Sequence, residues 1–396
     1  MRVLAVHNYY QQRGGEDQIY EAESSMLENH GCRVFSYKMH NNLVKEKNLL
    51  ALTQSTLWNR TAFNQLWKII KQKKPDVVHF HNIFPLISPA AYYAAKTESI
   101  PVIQTLHNYR LLCLNALLFR NGLICEDCVG KFVSWPGILN VCYRKNLVAT
   151  SVTAATLSLH RVLCTYRKMV DIYIALTNFA RQKFIQGGLP AEKIVVKPNF
   201  IYPDPGAGNG DGGYALFVGR LSPEKGINIF LSAWSKTIRE IPLKVVGNGP
   251  LSFNVAEAAR TNSKITWLGQ QSRHTVLRLM KDASILIFPS ICYEGMPTTI
   301  IDAFSVGLPV IASNVGGISS MIEYKRTGLF FNPGDSEDLA SKTDWIFSHP
   351  KELIQMRRAV RAVYEAKYSA EINYEMLMNI YETAIERSRK KVTIQL

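Results

Sequence analysis

Negative charge is scarce in this chain. Its 396 residues carry 31 Asp and Glu against 46 Lys and Arg, a formal net charge of +15. Charge of that sign has three ordinary partners: nucleic acid, an anionic membrane surface, or a phosphorylated small molecule. No zinc-finger, RNA-recognition or basic-zipper pattern is present, which sets nucleic acid aside. There is no Asp-x-Asp, the usual carboxylate pair for a divalent cation on a diphosphate, so no metal site is expected. Asp335-Ser336-Glu337 comes nearest and reads as a helix N-terminus. No secretory signal opens the chain, since Met1 to His7 reads as a strand. The longest uncharged, fairly apolar run, Asn146 to Leu159, is rich in Thr and Ser and too short to span a bilayer. These absences point to a cytoplasmic protein, with peripheral contact at an anionic membrane face as a further expectation.

What is present is globular: 47% hydrophobic and 19% charged residues, over a length that fits two domains. Seven cysteines without a signal imply reduced thiols. Four of them, Cys113, Cys125, Cys128 and Cys142, cluster in sequence, and Cys125-x-x-Cys128 has a zinc-like spacing. Either they gather into a structural zinc site, or they sit singly in a long loop. The basic, apolar stretch 45–74 reads as a core-packed helix with a solvated charged end, in preference to a helix lying on a membrane.

Short apolar runs alternate with helix-length segments along the whole chain, the pattern of parallel, doubly wound α/β sheets. Strands are expected at Arg2–His7, Arg33–Tyr37, Val77–His81, Val102–Leu106, Ile172–Leu176 and Ile194–Val196. After a Pro/Gly-dense stretch the series restarts with Ala215–Val218, Leu243–Val246, Ile265–Trp267, Ile285–Phe288, Val310–Ala312 and Leu329–Phe331. The expected organisation is a first Rossmann-like domain over 1–198, a linker over 199–213, and a second such domain over 214–370. A final helix over 371–396 is expected to return to the first domain.

In such sheets ligands bind beyond the carboxyl ends of the strands. Arg220 and Lys225 follow the first strand of the second half, just before a helix, where fixed cations and helix amides would meet a leaving diphosphate. Glu294 and Asp302 flank the turn Gly295-Met296-Pro297-Thr298, and ionised carboxylates accept strong hydrogen bonds from sugar hydroxyls. The bland alternatives are solvated loop charges and a helix-start acid.

Taken together, Gly219-Arg220-Leu221, Pro223-Glu224-Lys225-Gly226, Gly247-Asn248-Gly249-Pro250, Leu268-Gly269 and Pro289-Ser290 through Ala312-Ser313 resemble the donor domain of glycosyltransferase family 4. The resemblance implies the GT-B fold, two Rossmann-like domains facing across a cleft, and transfer of a hexose from a nucleotide-sugar with retention. It implies that Arg220 and Lys225 hold the diphosphate, with Gly247 and Gly269 in the donor loops. It puts Glu294 on the sugar, the Gly295–Thr298 backbone beside it, and Asp302 on the ribose. Asp302 departs from the usual Glu by one methylene. More weakly, Arg13-Gly14-Gly15-Glu16 is similar to the family's glycine loop. His107 matches the position beside the donor sugar, while His79 and His81 are open between structure and function.

The resemblance implies a UDP-sugar co-substrate, UDP-glucose above others, no further cofactor, and a saccharide or lipid-linked saccharide acceptor. A 2-epimerase on the same fold and a non-catalytic nucleotide-sugar binder are the alternatives.

Overall fold

The computed structural model describes residues 1–394, with side chains through residue 389. Fourteen strands are formed among them: β1 (Arg2–Tyr9), β2 (Arg33–His40), β3 (Val77–Phe80), β4 (Val102–Leu106), β5 (Phe119–Arg120), β6 (Leu123–Ile124), β7 (Ile172–Ala175), β8 (Ile194–Val196), β9 (Ala215–Val218), β10 (Leu243–Val246), β11 (Ile265–Trp267), β12 (Ile285–Phe288), β13 (Val310–Ser313) and β14 (Gly328–Phe331). The chain divides into two compact units, one of residues 1–118, 126–198 and 371–396, the other of 119–125 and 199–370.

The first unit is built on a parallel sheet of order β2-β1-β3-β4-β7-β8. Its central strands are buried on both faces, from Val3 and Leu4 through Val78 and Ile103 to Ile174, which is why they read as unbroken apolar runs. Strand order reverses between β1 and β3, so the crevice for a ligand opens at their carboxyl ends. Helix Gly15–Asn29 follows β1, and the Asp17 carboxylate turns back to the Gly14 amide and caps its first turn. Segment 45–74 is two helices, Leu49–Leu57 and Arg60–Lys73, parted where Asn59 leaves the helix to cap the second one. That second helix buries Ala62, Leu66 and Ile70, so its apolar stripe belongs to the core. The final helix, Ala370–Ile394, lies in this unit, where the Tyr381 hydroxyl meets His79 Nδ1 at 2.9 Å.

The second unit has a parallel sheet of order β11-β10-β9-β12-β13-β14, reversing between β9 and β12. Phe217, Phe230, Trp234 and Ile287 anchor one side of its core. Residues 199–213 form neither helix nor strand. Gly208, Gly210 and Gly212 donate their amides to the carbonyls of Val306, Lys281 and Asp282, so the stretch is stitched along this unit. Asp335 caps helix Ser336–Ser348 through the amides of Glu337 and Asp338, the helix start its sequence suggested. Among the described residues no helix is long and apolar enough to cross a membrane.

Candidate active site

In the second unit the residues singled out from sequence converge on one edge of the sheet, the carboxyl ends of β9 to β12. Gly247, after β10, has φ +136° and hands its amide to the Gly269 carbonyl at 2.8 Å. A Cβ there would lie 1.9 Å from the Gly219 carbonyl oxygen, so only glycine lets the loops after β9, β10 and β11 pack together. Gly226 plays the same part against Pro289, bringing the Lys225 turn onto the loop after β12.

That closeness assembles a charged constellation. Lys225 Nζ lies 2.6 Å from Glu294 Oε1, and the Ser290 hydroxyl donates to the same oxygen at 2.6 Å. Burial works against the Lys225 charge, but the Glu294 carboxylate more than offsets it and the ammonium pKa is raised. Burial, then the same carboxylate, pushes the Cys292 thiol up to about 12, so it is an inert neutral wall. Arg220 is exposed and forms no ion pair among the described residues. Helix Thr298–Ser305 starts behind Pro297 with no side-chain cap, so its first-turn amides are not claimed by a side chain. The turn before it is fixed: Asn199 donates to the Met296 carbonyl at 3.2 Å. Neither Ser290 nor Asn199 was singled out as a site residue from sequence.

Asp302, expected on the ribose, is buried and meets Arg273 at 2.8 Å. Burial raises its pKa although Arg273 pulls the other way. Asp302 is thus one half of an Asp–Arg pair. Sequence gave no sign of Arg273, because it starts a different helix, 29 residues away.

The first unit gathers a second group at the β1/β3/β4 edge. Gly14 caps its helix and is held through Asp17, whose other oxygen takes a 2.7 Å bond from fully buried His7. Gly15 is the first helical residue. His79 is buried against Glu23, Thr105 and Tyr381, a structural position. His81 is also buried, with Nε2 3.2 Å from Glu23 Oε1 and Nδ1 3.0 Å from His107 Nε2. Burial drops His81 to about 4 and His107 well below the usual histidine range, so both rings are neutral. Lys197 and the two histidines reverse the effect of burial on Glu23 and hold it ionised. A carboxylate only accepts, so His81 carries its proton on Nε2 and accepts at Nδ1. His107 must then donate from Nε2, which leaves its Nδ1 as a bare acceptor. His107 is half-buried.

Glu23, His79 and His81 have ligand-type atoms within 4.8 Å of one another. Lys197 Nζ already supplies a cation to that carboxylate at 3.1 Å. The four clustered cysteines do not form such a group among the described residues; Cys113 donates to Asn115 and Cys128 to the Ser134 carbonyl.

Glu16, beside the glycine loop, takes 3.1 Å from Asn108 on one oxygen while its other oxygen is enclosed without a partner. Burial raises it from 4.5 to about 7. A raised carboxyl adds no penalty below about 4.5 and loses stability as pH climbs through 7. Glu16→Gln is therefore expected to flatten the fall in stability between pH 5 and 8, a difference on the order of 2 to 3 kcal/mol. Urea melts of both proteins at the two pH values check it; parallel pH trends would refute it.

Residues 5–204 match the description Glycosyltransferase Family 4, and residues 203–363 match Glycosyl transferases group 1. The amylovoran biosynthesis glycosyltransferase AmsK of Erwinia amylovora is 25% identical over 54% of this chain and 56% of that protein. A sulfoquinovosyl transferase of Arabidopsis thaliana is 24% identical over 69% and 50%. The chain spans about half the length of the curated relatives it matches. The crystal structure of HepE from Anabaena, in complex with UDP, superposes with TM-score 0.68 at 15% identity over 96% of this chain and all of that one. The two parallel sheets are thus those of a GT-B fold, and the matched families cover both halves in the order the motifs suggested. The chain belongs to glycosyltransferase family 4.

Proposed function

We propose that the protein is a retaining glycosyltransferase that moves a hexose from a UDP-sugar to a saccharide or lipid-linked saccharide in polysaccharide biosynthesis, without a metal ion or further cofactor. The carrying observation is the Lys225–Glu294–Ser290 constellation at the switch point of the second sheet, with the exposed Arg220 beside it. The UDP complex of HepE and the amylovoran role of AmsK support the donor class and the polysaccharide setting. Glucose is the sugar we assign. A lipid-linked acceptor is met at a membrane, so peripheral contact with an anionic leaflet belongs to this reading.

In the proposed reaction the bond from the sugar's anomeric carbon to the phosphate oxygen breaks first. Arg220, Lys225 and the amides of Gly295 to Thr298 take up the developing charge on UDP. Glu294 holds sugar hydroxyls, and the Asp302–Arg273 pair faces the ribose. The acceptor hydroxyl attacks the same face and gives its proton to the departing phosphate. In the first unit Gly14, Gly15 and His107 are the candidate residues; with Nδ1 bare, His107 accepts a hydrogen bond from a hydroxyl and cannot donate one there.

Hydrolysis of a panel of UDP-, GDP- and ADP-sugars without acceptor, with and without EDTA, tests this. UDP release from UDP-glucose, indifferent to EDTA and lost in Glu294→Ala, is the expected result. Release that EDTA stops would remove the metal-free step. No binding of any nucleotide-sugar would overturn the enzyme reading in favour of a scaffold.

A further inference from the structure

Helix Leu147–Val162 is polar over much of its buried side. That side carries Thr150, Thr153, Thr156 and His160 alongside Ala154 and Leu157. The three threonines satisfy themselves on carbonyls four residues back, and His160 bonds Thr165 and the Leu57 carbonyl. An apolar stripe runs along the outer side: exposed Val148, Ala155, Leu159 and Val162 with half-buried Val152, spaced four, three, four, three. Val162 is 64% exposed. An ordinary surface helix turns its apolar stripe to the core.

The apolar surface continues beyond the helix. Arg161 donates to the carbonyls of Lys131 and Phe132, holding that loop against the helix end. Helix Trp135–Leu139 packs on the same helix. Phe132, Trp135 and Leu139 are all exposed, Leu139 at 73%. Charge here has one sign. Between Asp127 and Asp171 the sequence holds six Lys and Arg and no Asp or Glu; Arg144 and Lys145, both exposed, stand at the helix start.

We propose that this face docks on an anionic lipid bilayer, with the valine–leucine stripe, Phe132, Trp135 and Leu139 entering the headgroup boundary and the surrounding cations meeting lipid phosphates. Aromatic side chains favour that boundary, and apolar burial adds to attraction by anionic lipid. The stripe's spacing also suits a helical partner. Two copies of this segment, however, would bring cations together with no carboxylate of the segment to pair them. The proposal deepens the membrane contact of the proposed function, on which it rests, and places that surface in residues 131–168 rather than in the half-buried helix Arg60–Lys73.

Flotation of the full chain with phosphatidylglycerol/phosphatidylcholine vesicles, against phosphatidylcholine alone, tests it. Binding to the anionic vesicles only, weakened by salt, is expected. Arg144→Glu/Lys145→Glu and, separately, Trp135→Ser/Leu139→Ser should each weaken it about tenfold or more. Both pairs lie on the surface, so melting curves and acceptor-free UDP-sugar hydrolysis should match the parent. No vesicle binding, or binding untouched by both pairs, would overturn the proposal. So would light scattering that shows a dimer which the Trp135→Ser/Leu139→Ser pair dissolves, because the face then belongs to a second copy.

Discussion

Replacing Arg220 by alanine is expected to slow UDP-sugar cleavage by about a hundredfold or more while leaving the melting temperature unchanged. The two halves of that result have separate causes. Arg220 is exposed at the end of β9 and has no ion pair among the described residues, so the fold loses nothing when it goes. In the proposed reaction it meets charge that exists only once the sugar–phosphate bond has lengthened, and removal of one such fixed donor typically costs two to three orders of magnitude. Lys225→Ala should lose as much, but less cleanly. Glu294 would keep its bond from Ser290 and lose its cation, so donor affinity would fall along with turnover. Steady-state kinetics on the donor, alongside thermal melts of both variants, separates them. If Arg220→Ala turned over normally, the diphosphate would have to be neutralised elsewhere.

How well the sequence foretold these positions depended on the distance over which they are built. The central strands of the two large sheets, such as β3, β4, β7, β12 and β13, were legible because they are buried on both faces, which forces an apolar run. The hairpin of β5 and β6 was not, since two-residue strands show no alternation and Leu123 is exposed. Its one local signal was Asn121-Gly122, whose φ angles of +53° and +81° are those of a tight hairpin turn. Arg220, Lys225 and Glu294 follow strand ends within one stretch each, so short motifs reveal them. Arg273 on Asp302 and Lys197 on Glu23 join residues 29 and 174 positions apart. Local pattern carries no information at that range. Glu16 escaped for another reason: nothing in Arg-Gly-Gly-Glu says that its carboxylate will be enclosed with one oxygen unpartnered.

The largest loss of stability is expected from Glu23→Ala, about 3 to 5 kcal/mol by chemical denaturation. Glu23 is enclosed with Lys197, His79 and His81, and truncating it takes the carboxylate 3.1 Å from the buried Lys197 ammonium away. The pH dependence follows from sign. A carboxyl held below its usual range gives stability that is complete above the unfolded value of 4.5 and is lost as acid is added. The parent should therefore weaken below that pH, and Glu23→Ala should weaken less steeply there. Taking away the cation as well, in Glu23→Ala/Lys197→Met, should restore much of the loss, because the buried ammonium then no longer has to be desolvated without the Glu23 carboxylate beside it. Turnover should not return with it. Without the carboxylate nothing compels His81 to keep its proton on Nε2, and the ring of His107 is free to take either tautomer. Nitrogen shifts of the imidazoles read this directly: Nδ1 of His107 should be unprotonated in the parent and mixed in the double variant. A double variant that regained both stability and full turnover would reduce Glu23 to a structural ion pair.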